Sequence, residues 1–277
     1  RESDALLETA LSSVGLSFAP SPVKGLADLR GIGENSKHYK KRMRRSARFG
    51  PLLVAPKENP TSIMVAKVLP KHRADMEFTA SRQLALADKE TFIGAERMSS
   101  LELELESSGS SVPQWVVTFP YVETVSWRGM TVEDVRRVSR QLLGCMGVLK
   151  QQGLLHRDIK PGNILFRPDS SISMIDLEGA KRVNEMGGGV TGFFGTRGFM
   201  APEVEAWEDG KAESYGFPVD IFSAGRTIQE LLDHSVSKKS SKAFCALTEL
   251  VTAMCKPNPT DRVSLEEAVA MIPSALP

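Results

Sequence analysis

The stretch "LLHRDIKPGNILF", residues 154–166, places two basic residues, an aspartate and an asparagine between short apolar pieces. The residues before it show the apolar spacing of a helix that ends at Gly153, with Thr131 and Asp134 as a predicted capping box. Two pieces within and after it, "NILFR" and "SISMIDL", have the composition of short strands. The sequence therefore predicts a helix, an irregular polar loop and two strands in succession.

This loop resembles the catalytic loop of the protein kinase superfamily, whose pattern H-R-D-x-K-P-x-N it matches from His156 to Asn163. The resemblance implies that Asp158 lies within hydrogen-bond reach of an incoming hydroxyl. It also implies that Lys160 neutralises charge on the moving phosphoryl group and that Asn163 gives a neutral oxygen to a divalent metal. Lys160 at this position favours Ser/Thr over Tyr acceptors.

Asp176 in "MIDLEGAK" lies where this family has its second metal ligand. The usual D-F-G is replaced by Asp176-Leu177-Glu178, and glycine follows one place late, at Gly179. Leucine can replace phenylalanine as an apolar plug, but glycine permits backbone conformations that a glutamate resists. Three readings of Glu178 stay open: it repels nucleotide, binds metal or points away from the site.

The motif "GTRGFMAPE" resembles the end of the kinase activation segment. The resemblance implies that Thr196 forms hydrogen bonds to Asp158 and Lys160. It also implies a buried ion pair between Glu203 and Arg262. We expect these residues to have architectural roles.

Two more positions follow from the same resemblance. Asp220 in "DIFSAG" is expected to hold the catalytic loop in place. Arg157 is the residue that receives an activation-loop phosphate in many relatives, which makes Thr191 a candidate phosphorylation site. The alternative is that Thr191 is an incidental residue of a flexible glycine-rich loop.

In the first third of the chain, Lys67 in "VAK" is the expected ATP-anchoring lysine, on the third strand of the small lobe. The register of the family makes Glu90 its helical partner, and Glu77 and Glu96 are rivals for that role.

The segment "VTFPYVE" resembles the connection between the two kinase lobes. Phe119 is the expected gatekeeper, and backbone groups from Pro120 to Val122 are expected to bind adenine. Pro120 has no N–H donor but keeps its carbonyl acceptor.

The glycine-rich loop that normally covers the phosphates is missing from its expected place. Counted back from Lys67 without a gap, it falls on Arg45 to Gly50, where only the last glycine is present. Such a loop works because backbone N–H groups approach phosphate oxygens with no Cβ in the way. The preceding "KHYKKRMRR" has no alternating apolar pattern and is more typical of a basic helix. We therefore predict that the hairpin over the phosphates is absent.

The distribution of elements predicts an α+β protein with two lobes, a small β-rich lobe without the glycine-rich hairpin and a larger helical lobe. Residues 1–36 are predicted to be an N-terminal extension and linker, 37–122 the small lobe with a divergent basic start, and 123–277 the large lobe. Within the small lobe, residues 51–69 are predicted to form a hairpin, and most of 75–106 to be helical.

The predicted function is a Ser/Thr protein kinase that uses ATP with Mg2+ or Mn2+ and acts on protein substrates. The alternative is a catalytically dead pseudokinase that serves as a scaffold or binding module. Glu178 and the lost glycines favour the alternative. Activity is favoured by the intact set Lys67, Asp158, Lys160, Asn163 and Asp176.

A kinase without the glycine loop resembles the divergent branch of secreted kinases and pseudokinases in Toxoplasma-type apicomplexan parasites. That resemblance implies secretion into the parasitophorous vacuole, association with membranes and phosphorylation of secreted proteins. The basic run at 37–48, "KHYKKRMRRSAR", is consistent with contact to an anionic membrane. The alternative is that it forms an ordinary solvated face.

The overall composition of the chain does not indicate any kind of binding partner beyond those already named. Hydrophobic residues make up 41% and charged residues 25% of the chain, as in ordinary soluble domains. The net charge of +1 gives no support for a nucleic-acid partner, and none is predicted. Cys145, Cys245 and Cys255 lack metal-ligand spacing and allow at most one disulfide.

Overall fold

The computed structural model describes residues 2–19, 51–104, 111–183, 189–206, 214–236 and 241–272. The chain forms two compact units, and the α+β organisation with a β-rich and a helical lobe is confirmed. The first unit comprises Arg1–Gln83 and Ile93–Glu123, and the second comprises Leu84–Phe92 and Thr124–Pro277. The basic run at 37–48 and the predicted place of the glycine loop lie outside the described residues.

A five-stranded antiparallel sheet is the framework of the first unit, with the strand order β1-β2-β3-β5-β4. The strands are β1 (Leu16–Phe18), β2 (Leu52–Pro56), β3 (Met64–Leu69), β4 (Arg97–Glu104) and β5 (Ser111–Pro120). The hairpin predicted within residues 51–69 is formed by β2 and β3, which pair directly. The strands β1 and β2 also pair, and most of the segment that connects them is outside the described residues.

The N-terminal helix α1 (Glu2–Ser13) packs on one face of this sheet. Its Leu11 is buried in one core with Val68 of β3. Residues 2–19 are therefore part of the first unit, whereas the sequence assigned 1–36 to an extension ahead of the small lobe. A strand of three residues has too short a pattern to be recognised before its partner is known.

The opposite face of the sheet packs against α2 (Lys71–Ala87). Successive side chains of a strand point to opposite faces, so Val65, Lys67 and Leu69 share one face of β3. Val65 and Leu69 contact a core that includes Phe78 of α2. Lys67 is thereby directed to the helix side of the sheet.

The strand β4 shows that the predicted helix over most of 75–106 is wrong in its second half. Helix α2 ends at Ala87, and β4 pairs along its length with β5. Leucine and glutamate both favour helices as single residues. Their strict alternation in "LELELE" has the period of a strand, and pairing with β5 overrides the local propensity.

Helices dominate the second unit. They are α3 (Val132–Gln151), α4 (Pro202–Glu205), α5 (Pro218–Asp233), α6 (Lys242–Met254) and α7 (Leu265–Met271). The predicted capping box is present at the start of α3, where Asp134 N donates to Thr131 Oγ1 and the Asp134 carboxylate accepts from Thr131 N. No helix within the described ranges is long and apolar enough to span a membrane.

Two short strand pairs frame the polar loop of the second unit. The predicted strands form β7 (Ile164–Phe166) and β8 (Ile172–Met174), which pair antiparallel. The other pair joins β6 (Leu154–Leu155) to β9 (Lys181–Arg182). The loop that begins at His156 therefore emerges from one pair and leads into the other.

Candidate active site

Asp220 of α5 holds the backbone at the start of the polar loop. Its carboxylate accepts hydrogen bonds from His156 N at 2.7 Å and from Arg157 N at 2.9 Å. Asp220 is fully buried, and burial raises its pKa against the opposing influence of these bonds and of nearby positive charge. Arg157 has a φ of 71°, a left-handed conformation that costs energy outside glycine and is held here by the two bonds.

Asp158 is the centre of a compact polar cluster. Lys160 Nζ donates to Asp158 Oδ2 at 2.6 Å and to Thr196 Oγ1 at 2.7 Å. Thr196 Oγ1 donates in turn to Asp158 Oδ1 at 2.7 Å. Both interactions expected of Thr196 are therefore present. Each carboxylate oxygen of Asp158 has a charged or hydroxyl donor, which fixes the orientation of the group.

Asn163 closes the same cluster at the end of a 3-10 turn, Pro161–Asn163. Its Nδ2 donates to Asp158 O at 2.8 Å and to Asp158 Oδ2 at 3.1 Å. Because the amide nitrogen faces Asp158, the amide oxygen points away from it. Amide and carboxylate oxygens are the donors that Mg2+ prefers.

Asp176 directly follows Ile175, whose backbone is hydrogen-bonded to the polar loop that begins at His156. Ile175 N donates to Asn163 O at 3.0 Å, and Nε2 of the His156 ring lies 3.0 Å from Ile175 O. Asp176 itself has a φ of 72°, another left-handed residue without glycine. These bonds bring the candidate metal ligands Asn163 and Asp176 into neighbouring positions of one unit.

The altered D-L-E-G motif has a steric explanation. Glu178 does not have a positive φ, so its backbone needs no glycine. Gly179 does need to be small, since a Cβ there would overlap the ring of Phe194. Leu177 is buried, as expected of an apolar plug. The glycine therefore stands where the Phe194 ring lies against the backbone.

In the first unit, Lys67 forms an ion pair with Glu77 of α2. The Nζ–Oε1 distance is 2.9 Å, and the Glu77 side chain is only 2% exposed. The Lys67 ammonium also lies 5.8 Å from the centre of the Phe119 ring. The expected ATP-anchoring lysine is thus held between a carboxylate and the expected gatekeeper.

The assignment of Glu90 as the partner of Lys67 is therefore wrong. Glu90 lies exposed in the turn after α2, where its N–H donates to Asp88 Oδ1 at 3.0 Å. Glu96, the other rival, is exposed just before β4. The register of the family pointed to the wrong glutamate because α2 begins directly after β3, which brings the helix earlier in the chain. Glu77 lies on the buried stripe of α2 with its neighbours Ala74, Ala80, Ser81 and Leu84, and that stripe was the available signal.

The residues expected to bind adenine lie at the end of β5 and just beyond it. Phe119 is 8% exposed, and Pro120 ends the strand. Val122 is half-buried in the irregular segment that follows. Their role toward a nucleotide stays a prediction.

The expected ion pair of Glu203 and Arg262 is present and bidentate. Arg262 Nη1 donates to Glu203 Oε1 at 2.6 Å, and Nη2 donates to Glu203 Oε2 at 2.7 Å. The Arg262 side chain is completely shielded from solvent. Such fork-to-fork geometry is the strong form of an ion pair.

Among the described residues, Tyr215 is a member of the site that no sequence motif indicated. Its hydroxyl accepts a hydrogen bond from Arg157 Nε at 3.0 Å. No local pattern indicates this contact, because 58 positions of chain separate the two residues.

Thr191, the candidate phosphorylation site, is exposed, and its carbonyl accepts from Lys181 Nζ at 2.8 Å.

Comparison with known proteins places these features in a family. The family model described as a protein kinase domain matches residues 114–272, which is more than half of the chain. The chain is 32% identical over 161 residues to serine/threonine-protein kinase ppk34 of Schizosaccharomyces pombe, which covers 52% of this chain and 45% of that protein. It is 31% identical over 160 residues to serine/threonine-protein kinase cds1 of the same organism, with 50% and 35% covered. Each match thus spans less than half the length of the relative.

Proposed function

Because the chain belongs to the protein kinase domain family, we propose that it transfers the γ-phosphoryl group of ATP to serine or threonine hydroxyls of proteins. In this reaction the acceptor oxygen bonds to the γ-phosphorus, the bond to the bridging oxygen of ADP breaks, and the hydroxyl proton passes to a carboxylate oxygen. We assign that carboxylate to Asp158.

The observation that supports this proposal most is the cluster of Asp158, Lys160 and Thr196. A general base must be held within hydrogen-bond reach of the proton that it takes. The donors on both carboxylate oxygens hold Asp158 in one orientation before a substrate arrives. Lys160 is close enough to stabilise negative charge on the transferred group, because its ammonium lies 2.6 Å from that carboxylate.

Asn163 and Asp176 fit a magnesium-nucleotide complex by the chemistry of their donors. Mg2+ is usually held by one or two carboxylates together with substrate phosphates. Asn163 supplies an amide oxygen that points away from Asp158, and Asp176 supplies a carboxylate. When bound, the ion would neutralise charge on the phosphates. Asn163 and Asp176 would orient it, and Mn2+ accepts the same oxygen donors.

In the first unit, we assign Lys67 to the nucleotide phosphates and Glu77 to the positioning of Lys67. The buried carboxylate at 2.9 Å holds the ammonium in one position. We further assign the backbone of Pro120 to Val122 to the adenine. Glu90 has no part in this proposal.

The test is transfer of radiolabel from γ-labelled ATP to a mixture of protein acceptors. We expect Asp158→Asn to lower the rate about 1000-fold, as for loss of a general base. The matched control is Asp169→Asn, since Asp169 is an exposed carboxylate of the β7–β8 turn bonded only to Ser171 among the described residues. This control should keep the wild-type rate.

Equal background signals from wild type and Asp158→Asn would overturn the proposal. That outcome would favour the pseudokinase alternative, in which the fold serves as a binding module. A metal-dependent rise in melting temperature with ATP would then tell whether the module still binds nucleotide.

Secretion into a parasitophorous vacuole is a further proposal, which rests on the resemblance to the secreted kinases without a glycine loop. Contact with anionic membranes is another, motivated by the basic run at 37–48. Flotation with phosphatidylserine vesicles tests the membrane contact. We expect the wild type to float at low salt and a charge-reversed 37–48 variant to stay in the dense fraction. Equal flotation of both would contradict the idea.

A further inference from the structure

Arg157, the neighbour of Asp158, is a buried cation that is held by neutral partners. Its Nε donates to the Tyr215 hydroxyl at 3.0 Å, and its two terminal nitrogens donate to Gly179 O at 3.0 Å and Gly192 O at 3.1 Å. The guanidinium also lies 5.1 Å from the centre of the Phe194 ring. Among the residues that the structure describes, it forms no ion pair. Every nitrogen of Arg157 therefore has a partner in the unmodified chain.

Tyr215 connects this arginine to the segment that carries Thr196. Its hydroxyl accepts from Arg157 and donates to Gly192 O at 2.6 Å. Its backbone exchanges two hydrogen bonds with Val190, at 2.8 and 2.9 Å. Burial raises the pKa of Tyr215 despite the opposing effect of Arg157, so the hydroxyl keeps the proton that it donates.

The same segment is fixed at two more points. Lys181 Nζ donates to Thr191 O at 2.8 Å. Gly195 has a φ of 131°, and a Cβ there would lie only 2.7 Å from Arg157 O. This close approach of two backbones brings Thr196, the next residue, to Asp158 Oδ1. The geometry of the catalytic cluster thus depends on how residues 189–196 are held.

We propose that Tyr215 is a positioning residue, which holds Arg157 and residues 189–196 in the productive arrangement without phosphorylation of Thr191. The inference rests on the proposed kinase function. A phosphate near Arg157 would have to displace the carbonyls of Gly179 and Gly192, which already satisfy the guanidinium. The Tyr215 hydroxyl and the carbonyls of Gly179 and Gly192 thus hold Arg157 as a phosphate on Thr191 would otherwise do.

The experiment compares three variants of the whole chain: Tyr215→Phe, Thr191→Ala and the control Ser139→Ala. Ser139 also loses a buried hydroxyl, which donates to Val135 O at 2.7 Å inside α3, away from the site. Mass spectrometry first establishes that Thr191 is unmodified. We expect Tyr215→Phe to lower kcat about tenfold with KM for ATP unchanged, because a buried charged donor loses its acceptor. Thr191→Ala and Ser139→Ala should keep kcat within about twofold.

Two results would overturn the proposal. One is full kcat in Tyr215→Phe, and the other is a fall in Thr191→Ala or after phosphatase treatment as large as that in Tyr215→Phe. If Tyr215→Phe does not fold, Arg157→Lys replaces it, since lysine keeps the charge but cannot reach all three acceptors.

Hydrogen exchange separates failure of this proposal from failure of the kinase function. Should the wild type prove inactive, amides of residues 189–195 are still expected to exchange at least tenfold faster in Tyr215→Phe than in Ser139→Ala. Equal exchange in the two variants would show that the hydroxyl does not hold the segment.

Discussion

Arg262 and Arg157 are both 8% exposed, both donate to backbone carbonyls and both lie over an aromatic ring. Of the two, however, only the guanidinium of Arg262 is paired with a carboxylate among the described residues. The carboxylate of Glu203 compensates the charge of Arg262 permanently. Arg157 has a tyrosine hydroxyl and carbonyls, which satisfy its N–H groups but carry no negative charge. The second unit thus gives the Arg262 guanidinium a direct counter-charge, and gives the Arg157 guanidinium, next to Asp158, neutral hydrogen-bond partners.

The two arginines therefore differ in how their buried guanidinium groups are stabilised. The pair of Glu203 with Arg262 joins α4 to the segment between α6 and α7, and its two charges compensate each other directly. The guanidinium of Arg157 is instead held by a hydroxyl and two carbonyls, while the carboxylate of Asp220 accepts from the backbone N–H of the same residue.

The largest expected effect breaks the pair of Glu203 with Arg262. We expect Glu203→Gln to lower the free energy of unfolding by about 4 kcal/mol, because it leaves a buried guanidinium without its counter-charge. Urea denaturation measures this change. A loss below about 1 kcal/mol would mean that the pair contributes no more than an exposed one.

A smaller effect is expected at the ring that packs beside Arg157. Gly179→Ala should lower the free energy of unfolding by about 2 kcal/mol, because the new methyl group must push the Phe194 ring aside. Gly144→Ala is the matched control, since a Cβ at this position of α3 meets nothing within 4 Å. The control should stabilise the protein slightly. Equal effects of the two substitutions would contradict the steric account of the shifted glycine.

The smallest expected effect on stability comes from the neutral partner of Arg157. Tyr215→Phe should lower the free energy of unfolding by about 1.5 kcal/mol, since the hydroxyl loses its hydrogen bonds with Arg157 and with Gly192 O while the ring still packs. The same urea series measures it. A loss as large as that of Glu203→Gln would show that Tyr215 is a structural residue first, and would remove the contrast between the two arginines.

Much of the second unit was predictable because its motifs are local. Asp158, Lys160 and Asn163 lie within one loop, so their order in the chain nearly fixes their neighbourhood. The contacts of Thr196 and the pair of Glu203 with Arg262 followed from a family resemblance, and the structure has them at 2.6 to 2.7 Å. The role of these residues in catalysis stays a proposal.

The first unit was harder to predict because its contacts are distant in sequence. The strand β1 finds its partner β2 across more than thirty intervening residues, and three residues give no readable pattern. The register of the family indicated Glu90 as the partner of Lys67, but the partner is Glu77, which lies on the buried stripe of α2. Tyr215 gave no sequence signal because its role exists only through a tertiary hydrogen bond.

The most direct test of this account is the rate of γ-phosphoryl transfer by wild-type protein in which mass spectrometry finds Thr191 unmodified. We predict transfer that Asp158→Asn lowers about 1000-fold and that added phosphatase leaves unchanged. Transfer that appears only after Thr191 becomes phosphorylated, or a rate equal to that of Asp158→Asn, would contradict the account.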